Sequence, residues 1–185
     1  MLVLITGGSG SGKSAYAEEY TVGISGERKK YYLATMQVFD EEGQKKVEKH
    51  RKQRSGKGFV TIEQQTSICA ALEKMDDFGK NPEEERTALL ECMSNLVANE
   101  MFSGEMPGSF MAVTDKVVRE IEMLSRELKH LVIVTNNVFE DGMVYGETTM
   151  EYLRALGSVN EKLAAMADVV VEIAVGIPVI VKEGT

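Results

Sequence analysis

Residues 7 to 14 read GGSGSGKS and place Gly7, Gly12, Lys13 and Ser14 at the spacing G-x-x-x-x-G-K-[ST]. A turn built from Gly7, Gly8, Ser9, Gly10, Ser11 and Gly12 points backbone N–H groups at one anion, and a helix starting at its end adds its positive pole. Lys13 then reaches the β- and γ-phosphates of a nucleoside triphosphate, ATP or GTP, and the Ser14 hydroxyl is the oxygen that can ligate Mg²⁺. A Gly/Ser turn can match the motif by chance. Here the apolar run LVLIT (2–6) precedes it and an amphipathic pattern follows near 13–22, the strand–loop–helix context that phosphate binding requires. Such a site also needs an acid at the end of a second buried strand, to manage the metal and its water. Thr87-Ala88-Leu89-Leu90-Glu91 supplies one. Asp is the more usual residue there, so Glu91 is read either as that acid or as a contact to base or ribose.

The second constellation surrounds His50, one of two histidines. Lys45, Lys46, Lys49, Arg51, Lys52, Arg54 and Lys57 lie within thirteen residues, in a chain whose net charge is -8. Taken alone this is a solvated basic helix face. Chemically it is also what attack on a phosphate demands. A neutral imidazole is a competent nucleophile, its ordinary pKa of about 6.5 leaves it largely neutral at pH 7, and neighbouring cations stabilise charge building on phosphorus. The triphosphate implied by the glycine loop favours the chemical reading.

The elements that must carry these residues alternate along the chain. Strands are expected at LVLIT (2–6), YYLAT (31–35), FVTIE (59–63), ALLEC (88–92), LVIVT (131–135), VVVEIAV (169–175) and VIVK (179–182), the last two broken at Gly176-Ile177-Pro178. Helical patterns fall near 13–22, 40–53, 66–76, 94–102, 112–129 and 149–166, with exposed loops at 76–87 and 103–109. Near-continuous apolar strands alternating with helices predict a mostly parallel sheet covered on both faces, with an antiparallel edge from the final strand pair. FVTIE interrupts that rhythm. With 185 residues and no linker or repeat, the chain reads as one domain over 1–185. The acidic balance excludes a general nucleic-acid binder, since duplex binding needs broad phosphate neutralisation. Two cysteines, Cys69 and Cys92, form no metal spacing or disulfide framework, and no apolar run spans a membrane. The expectation is a reduced, soluble, cytoplasmic protein. Cys92 reads as packing, the 11 methionines as core, and His130 as a cation at a helix C-terminus.

The quoted motifs, with DEEGQKKVEKHRKQR, LLECMSNLVANEMF, VIVTNNV and VNEKLAAMADVVVEIAVGIPVIVK, run in an order that resembles the bifunctional adenosylcobinamide kinase / adenosylcobinamide-phosphate guanylyltransferase family of cobalamin biosynthesis. The resemblance implies a P-loop NTPase fold of RecA-like type and two activities. One phosphorylates the aminopropanol hydroxyl of adenosylcobinamide from a nucleoside triphosphate. The other forms a GMP–histidine from GTP and passes GMP to adenosylcobinamide phosphate. It places the nucleophile at His50 and nucleotide contacts at Gly7 to Ser14, at Ala34, Thr35 and Met36, at Arg51, Lys52, Gln53 and Arg54, and at Glu63 and Glu91. The two glutamates are candidate acceptors for guanine N–H groups. It further implies a corrinoid acceptor and a homotrimer. The chain departs from the family pattern at Gly10, Phe59 and Asn137, and in keeping only Arg154 before the last helix. Two other readings stand beside it: a P-loop small-molecule kinase without guanylyl transfer, and a GTP-binding regulatory protein without turnover.

Overall fold

The computed structural model describes residues 1–37, 48, 54–76, 79, 85–104, 108–138 and 145–184. The leading apolar run forms β1 (Leu2–Gly7), and the glycine loop leads into α1 (Lys13–Ser25). There follow β2 (Lys29–Ala34), β3 (Phe59–Glu63), a 3₁₀ helix (Ile68–Lys74), β4 (Arg86–Glu91), α2 (Met93–Phe102), α3 (Phe110–Glu127), β5 (His130–Val134), α4 (Glu147–Met166), β6 (Val169–Ala174) and β7 (Ile177–Glu183). The strands make one seven-stranded sheet in the order β3-β2-β4-β5-β1-β6-β7. Every neighbouring pair is parallel except β6 with β7. FVTIE, which broke the strand–helix rhythm, pairs parallel to β2 and is the far edge of the sheet.

Central parallel strands are buried on both faces, so both sets of alternating side chains are apolar. Leu2, Leu4, Leu33, Leu90, Leu131 and Ile133 face α2, α3, α4 and the 3₁₀ helix, whose Leu96, Val117, Ile121, Leu156 and Leu163 complete the larger core. Val3, Ile5, Tyr32, Leu89, Val132 and Val134 face α1 through Ala17, with Tyr16, Tyr20 and Ile24 around it. In α3 the stripe of Val113, Val117, Ile121 and Leu124 is buried, and Ser109 caps the helix by accepting from the Ala112 N–H at 3.3 Å. Because α1 lies over β1, β5 and β4, its N-terminus stands above the C-terminal ends of those strands. That is where open α/β sheets bind ligands.

Several sequence expectations need correction. The loop expected to run to residue 87 ends earlier, because Arg86 and Thr87 are buried in β4. Arg86 donates to the Asp76 carbonyl at 3.2 Å, so a charged residue that read as loop starts a strand. The pattern at 66–76 is a short 3₁₀ helix and no α-helix. The break between the last strands is the two-residue turn Val175-Gly176, while Ile177 and Pro178 already belong to β7, an edge strand where proline is tolerated. His130 is the first residue of β5 and not a helix-terminal cation. Burial, the amino terminus, Arg28 and Lys129 hold its imidazole below the usual histidine pKa. The helix expected at 40–53 lies outside the described residues apart from the helical Glu48. No described helix is long and apolar enough to cross a membrane.

Candidate active site

The glycine loop closes on itself: the Ser11 N–H donates to the Gly8 carbonyl at 3.2 Å, and the Tyr16 N–H to the Gly12 carbonyl at 3.1 Å. Gly12 precedes α1 with a φ of 91°, which a side chain would strain. Lys13, the first residue of α1, is buried and donates from Nζ to the Gly8 carbonyl at 2.9 Å. Burial lowers its pKa, with Cys92 and Glu91 pulling the other way. The ammonium is thus held across the mouth of the loop.

Ser14, one residue further along α1, donates its hydroxyl to Glu91 Oε1. The Tyr32 hydroxyl donates to Glu91 Oε2 at 3.2 Å, so the carboxylate is held from two sides. Burial, then the charge of Glu91, raises the Tyr32 pKa well above the usual phenol value, which keeps it a donor. The Tyr32 ring lies edge-on to Phe59 at 6.2 Å, and the Arg54 guanidinium stacks over it with Cζ at 3.5 Å from the centroid. Arg54 is buried, and its Nη1 has no hydrogen-bond partner among the described residues. A buried guanidinium nitrogen left open is a ready anion contact.

Strand register explains why these residues meet. Ala34 pairs with Glu63 on one side and with Glu91 on the other, so three strand ends are level. Alternation puts Tyr32, Ala34, Glu63 and Glu91 on the face that α1 covers. Glu63 is exposed at the outer end of this row, about two strand spacings, roughly 10 Å, from Glu91. Thr35 is buried and donates to the Cys92 carbonyl at 2.8 Å; Asn99 binds the Thr35 carbonyl at 2.7 Å and the Gln65 carbonyl at 2.9 Å. Met36 is half-buried beyond it.

The structure therefore brings together Gly7 to Ser14, Ala34, Thr35, Arg54 and Glu91, with Glu63 at the rim. His50, Arg51, Lys52 and Gln53 lie outside the described residues, as do Lys45, Lys46 and Lys49 of the cation cluster. Lys57 is engaged elsewhere, in a 2.7 Å ion pair with the buried Glu18 of α1, which ties the segment after Arg54 to that helix. Sequence reasoning missed Tyr32; the alternation of Tyr31 and Tyr32 across a strand beside Glu91 was the available signal. It also missed Ser94 and Asn136, linked at 2.6 Å, with Ser94 at 3.0 Å from the Cys92 thiol. Burial pushes that thiol up, with the Ser94 contact pulling the other way.

Comparison with known proteins bears on the whole chain. The cobinamide kinase / cobinamide phosphate guanyltransferase (CobU) family model matches residues 3–181. The bifunctional adenosylcobalamin biosynthesis protein CobU of Escherichia coli (strain K12) is 30% identical over 191 residues, covering 98% of this chain and 100% of the relative. Its counterpart in Salmonella typhimurium (strain LT2) is 29% identical over 192 residues with the same coverage. Among solved structures, the ATPase domain of a helicase aligns with a TM-score of 0.57 at 15% identity, over 92% of this chain and 68% of the helicase chain. The flagellar accessory protein FlaH of Methanocaldococcus jannaschii aligns at 0.53 and 15% identity, over 99% and 78%. These last two are likenesses of fold, that of the P-loop NTPases. With the family model spanning nearly the whole chain, the chain belongs to the cobinamide kinase / cobinamide phosphate guanyltransferase family.

Proposed function

We propose that this chain phosphorylates the aminopropanol hydroxyl of a cobinamide and then transfers GMP from GTP to the resulting phosphate. The observation that carries the reading is the Ser14–Glu91–Tyr32 array beside the glycine loop, in a chain matched by the family over residues 3–181. In the first step the hydroxyl oxygen attacks the γ-phosphorus of the nucleoside triphosphate, its proton passes to water, the bond to the β-phosphate oxygen breaks, and a nucleoside diphosphate leaves. The loop N–H groups and Lys13 hold the phosphates in line. In the second, a neutral nitrogen of His50 attacks the α-phosphorus of GTP and pyrophosphate leaves. A phosphate oxygen of the cobinamide phosphate then displaces the imidazole and takes GMP. Arg54, with its open guanidinium nitrogen, would hold the α-phosphate, and Glu63 would accept from the guanine edge.

Mg²⁺ fits the donor set. It prefers oxygen ligands and takes few from protein when phosphates and water complete its shell. The Ser14 hydroxyl and Glu91 carboxylate are such oxygens, Ser14 as ligand and Glu91 through its hydrogen bond to it. Held with the nucleotide at the Ser14 hydroxyl, the ion would offset phosphate charge during transfer. A homotrimer in the cytoplasm completes the proposal. Edge strand β7 presents Val179, Ile180 and Val181 to solvent, an apolar edge that a second copy would cover. Light scattering of Ile180→Lys would read smaller particles if β7 is that surface.

The test is covalent labelling. With Mg²⁺ and GTP labelled at the α-phosphate, the denatured protein should carry label that survives alkali, is released by acid and is missing in His50→Ala. Absence of label with nucleotide binding intact would leave a kinase without guanylyl transfer. Absence of both label and phosphoryl transfer would leave a nucleotide-binding protein.

A further inference from the structure

On the side of the glycine loop away from Glu91 lies an open cleft of about 360 Å³ between Gly8–Ser11, Asn137 and the end of β6 at Glu172–Val175. Among the described residues no Lys or Arg lines it, which sets its chemistry apart from that of a phosphate subsite. Glu172 is half-buried in its wall, and no hydrogen bond or ion pair engages its carboxylate among the described residues. Val175 is 90% exposed at its rim.

Val175 is also the one residue there whose backbone is strained. With Gly176 it forms the two-residue β6–β7 turn, with φ values of 46° and 85°. Such turns take Asn, Asp or Gly at the first position, and a β-branched residue is costly there. The turn is pinned to the phosphate loop, because the Gly176 N–H donates to the Ser11 carbonyl at 3.0 Å. A strained position that displays an isopropyl group to solvent beside a ligand loop is an observation that calls for a functional explanation.

We propose that this cleft holds the nucleoside of the triphosphate used in phosphoryl transfer, its base packed on Val175 and a ribose hydroxyl donating to Glu172. The inference rests on the kinase activity proposed above. A group joined to phosphates in the loop reaches the cleft directly, since Gly8–Ser11 form both. A free carboxylate repels phosphate but accepts from O–H and N–H donors. The volume suits a nucleoside and is too small for a corrin macrocycle. Glu63, the family-implied guanine contact, lies five strand spacings from Glu172 across the order β3-β2-β4-β5-β1-β6, roughly 24 Å at about 4.8 Å each. One base cannot serve both positions. The loop is therefore shared, while the nucleosides of the two reactions point opposite ways.

The experiment compares Val175→Asn, Glu172→Ala and Glu172→Gln in the full chain. The expected result is a KM for ATP in cobinamide phosphorylation raised about tenfold by Val175→Asn and by Glu172→Ala, with kcat and the corrinoid KM little changed. Glu172→Gln, which keeps an acceptor, should recover much of the loss, and 2′-deoxy-ATP should be insensitive to Glu172→Ala. GMP labelling from GTP and the assembly mass should be unchanged. Val175→Asn should melt higher, because it suits the turn, which a merely structural role for valine would not combine with weaker binding. Unchanged KM for ATP in both variants, a rise in corrinoid KM instead, an equal loss of GMP labelling, or a broken assembly would each overturn the proposal. If the wild type transfers no phosphoryl group, the kinase reading falls. Calorimetry with a non-hydrolysable ATP analogue then decides the cleft: weaker binding in both variants supports it and equal binding overturns it.

Discussion

Ser14, on the first turn of α1, and Glu91, at the end of β4, are 77 positions apart in sequence and joined by a hydrogen bond. β5 lies between β4 and the strand that leads into α1, so the contact exists only because α1 crosses over it. Glu91 thereby lies at the Ser14 end of the row of strand ends. Replacing it with Gln keeps the shape and removes the charge. Glu91→Gln should lower kcat for phosphoryl transfer about a hundredfold, raise the Mg²⁺ concentration needed, and leave GTP-over-ATP preference intact. Glu63→Gln should do the reverse, cutting that preference in GMP labelling about tenfold with little effect on phosphoryl transfer. Steady-state rates with both nucleotides check each arm. Loss of preference in Glu91→Gln would move that residue to the base.

Tyr32 supports Glu91 through its hydroxyl and Arg54 through its ring. The two roles separate. Tyr32→Phe should keep the stack, cost about 1 kcal/mol of stability, and lower kcat severalfold as the carboxylate loses one of its two holders. Tyr32→Ala removes the platform as well and should cost about 3–5 kcal/mol by denaturant melting, since the residue is buried.

How far the chain could be read before folding is visible in these residues. The loop from Gly7 to Ser14 was legible because its chemistry is local, and Glu91 because a charge ends an apolar run. Their partners were not. Tyr32 reaches Glu91 through the order of strands and carries Arg54 on its ring, and periodicity does not contain that order. Arg86 read as loop because charge dominates a sequence pattern, yet β4 buries it. The cations around His50 read as one patch, but Lys57 is spent on Glu18 and Arg54 on Tyr32. A side chain's partner is a tertiary fact, and composition counts both as free.

The Lys57–Glu18 pair yields a stability prediction. Glu18 is 2% exposed and Lys57 28%, so removing the lysine strands a buried carboxylate. Lys57→Ala should cost about 2 kcal/mol, below the range for a fully buried pair because Lys57 reaches solvent. Lys57→Ala with Glu18→Leu should recover most of it. Chemical denaturation of the singles and the double measures the coupling.

His130 makes stability depend on pH. Its folded pKa lies below the ordinary value of 6.5, first through burial and then through neighbouring positive charges. The unfolded chain therefore binds the proton more readily. This stability is present above pH 6.5 and is lost as pH falls through the folded value. Melting temperature should drop across that window, and His130→Gln should flatten the drop. A melting temperature that rises as pH falls would show instead that Glu85, the nearby carboxylate, outweighs burial and holds the imidazole charged.

Lys13 links protonation to nucleotide binding. In the free protein burial lowers its pKa from 10.5, and among the described residues its ammonium has the Gly8 carbonyl at 2.9 Å for direct support. Phosphate oxygens entering the loop favour the charged form and raise the pKa again. Between the free and bound values, binding must take up a proton, so affinity should fall as pH rises through the free-protein value below 10.5. Calorimetry of nucleotide binding in buffers of different ionisation enthalpy should show this uptake growing on the alkaline side and missing from Lys13→Met. That variant should bind at least tenfold more weakly at neutral pH and lose both transfer activities. Equal proton uptake in wild type and Lys13→Met would assign the proton to another group and leave Lys13 as a charge already fully protonated before the nucleotide arrives.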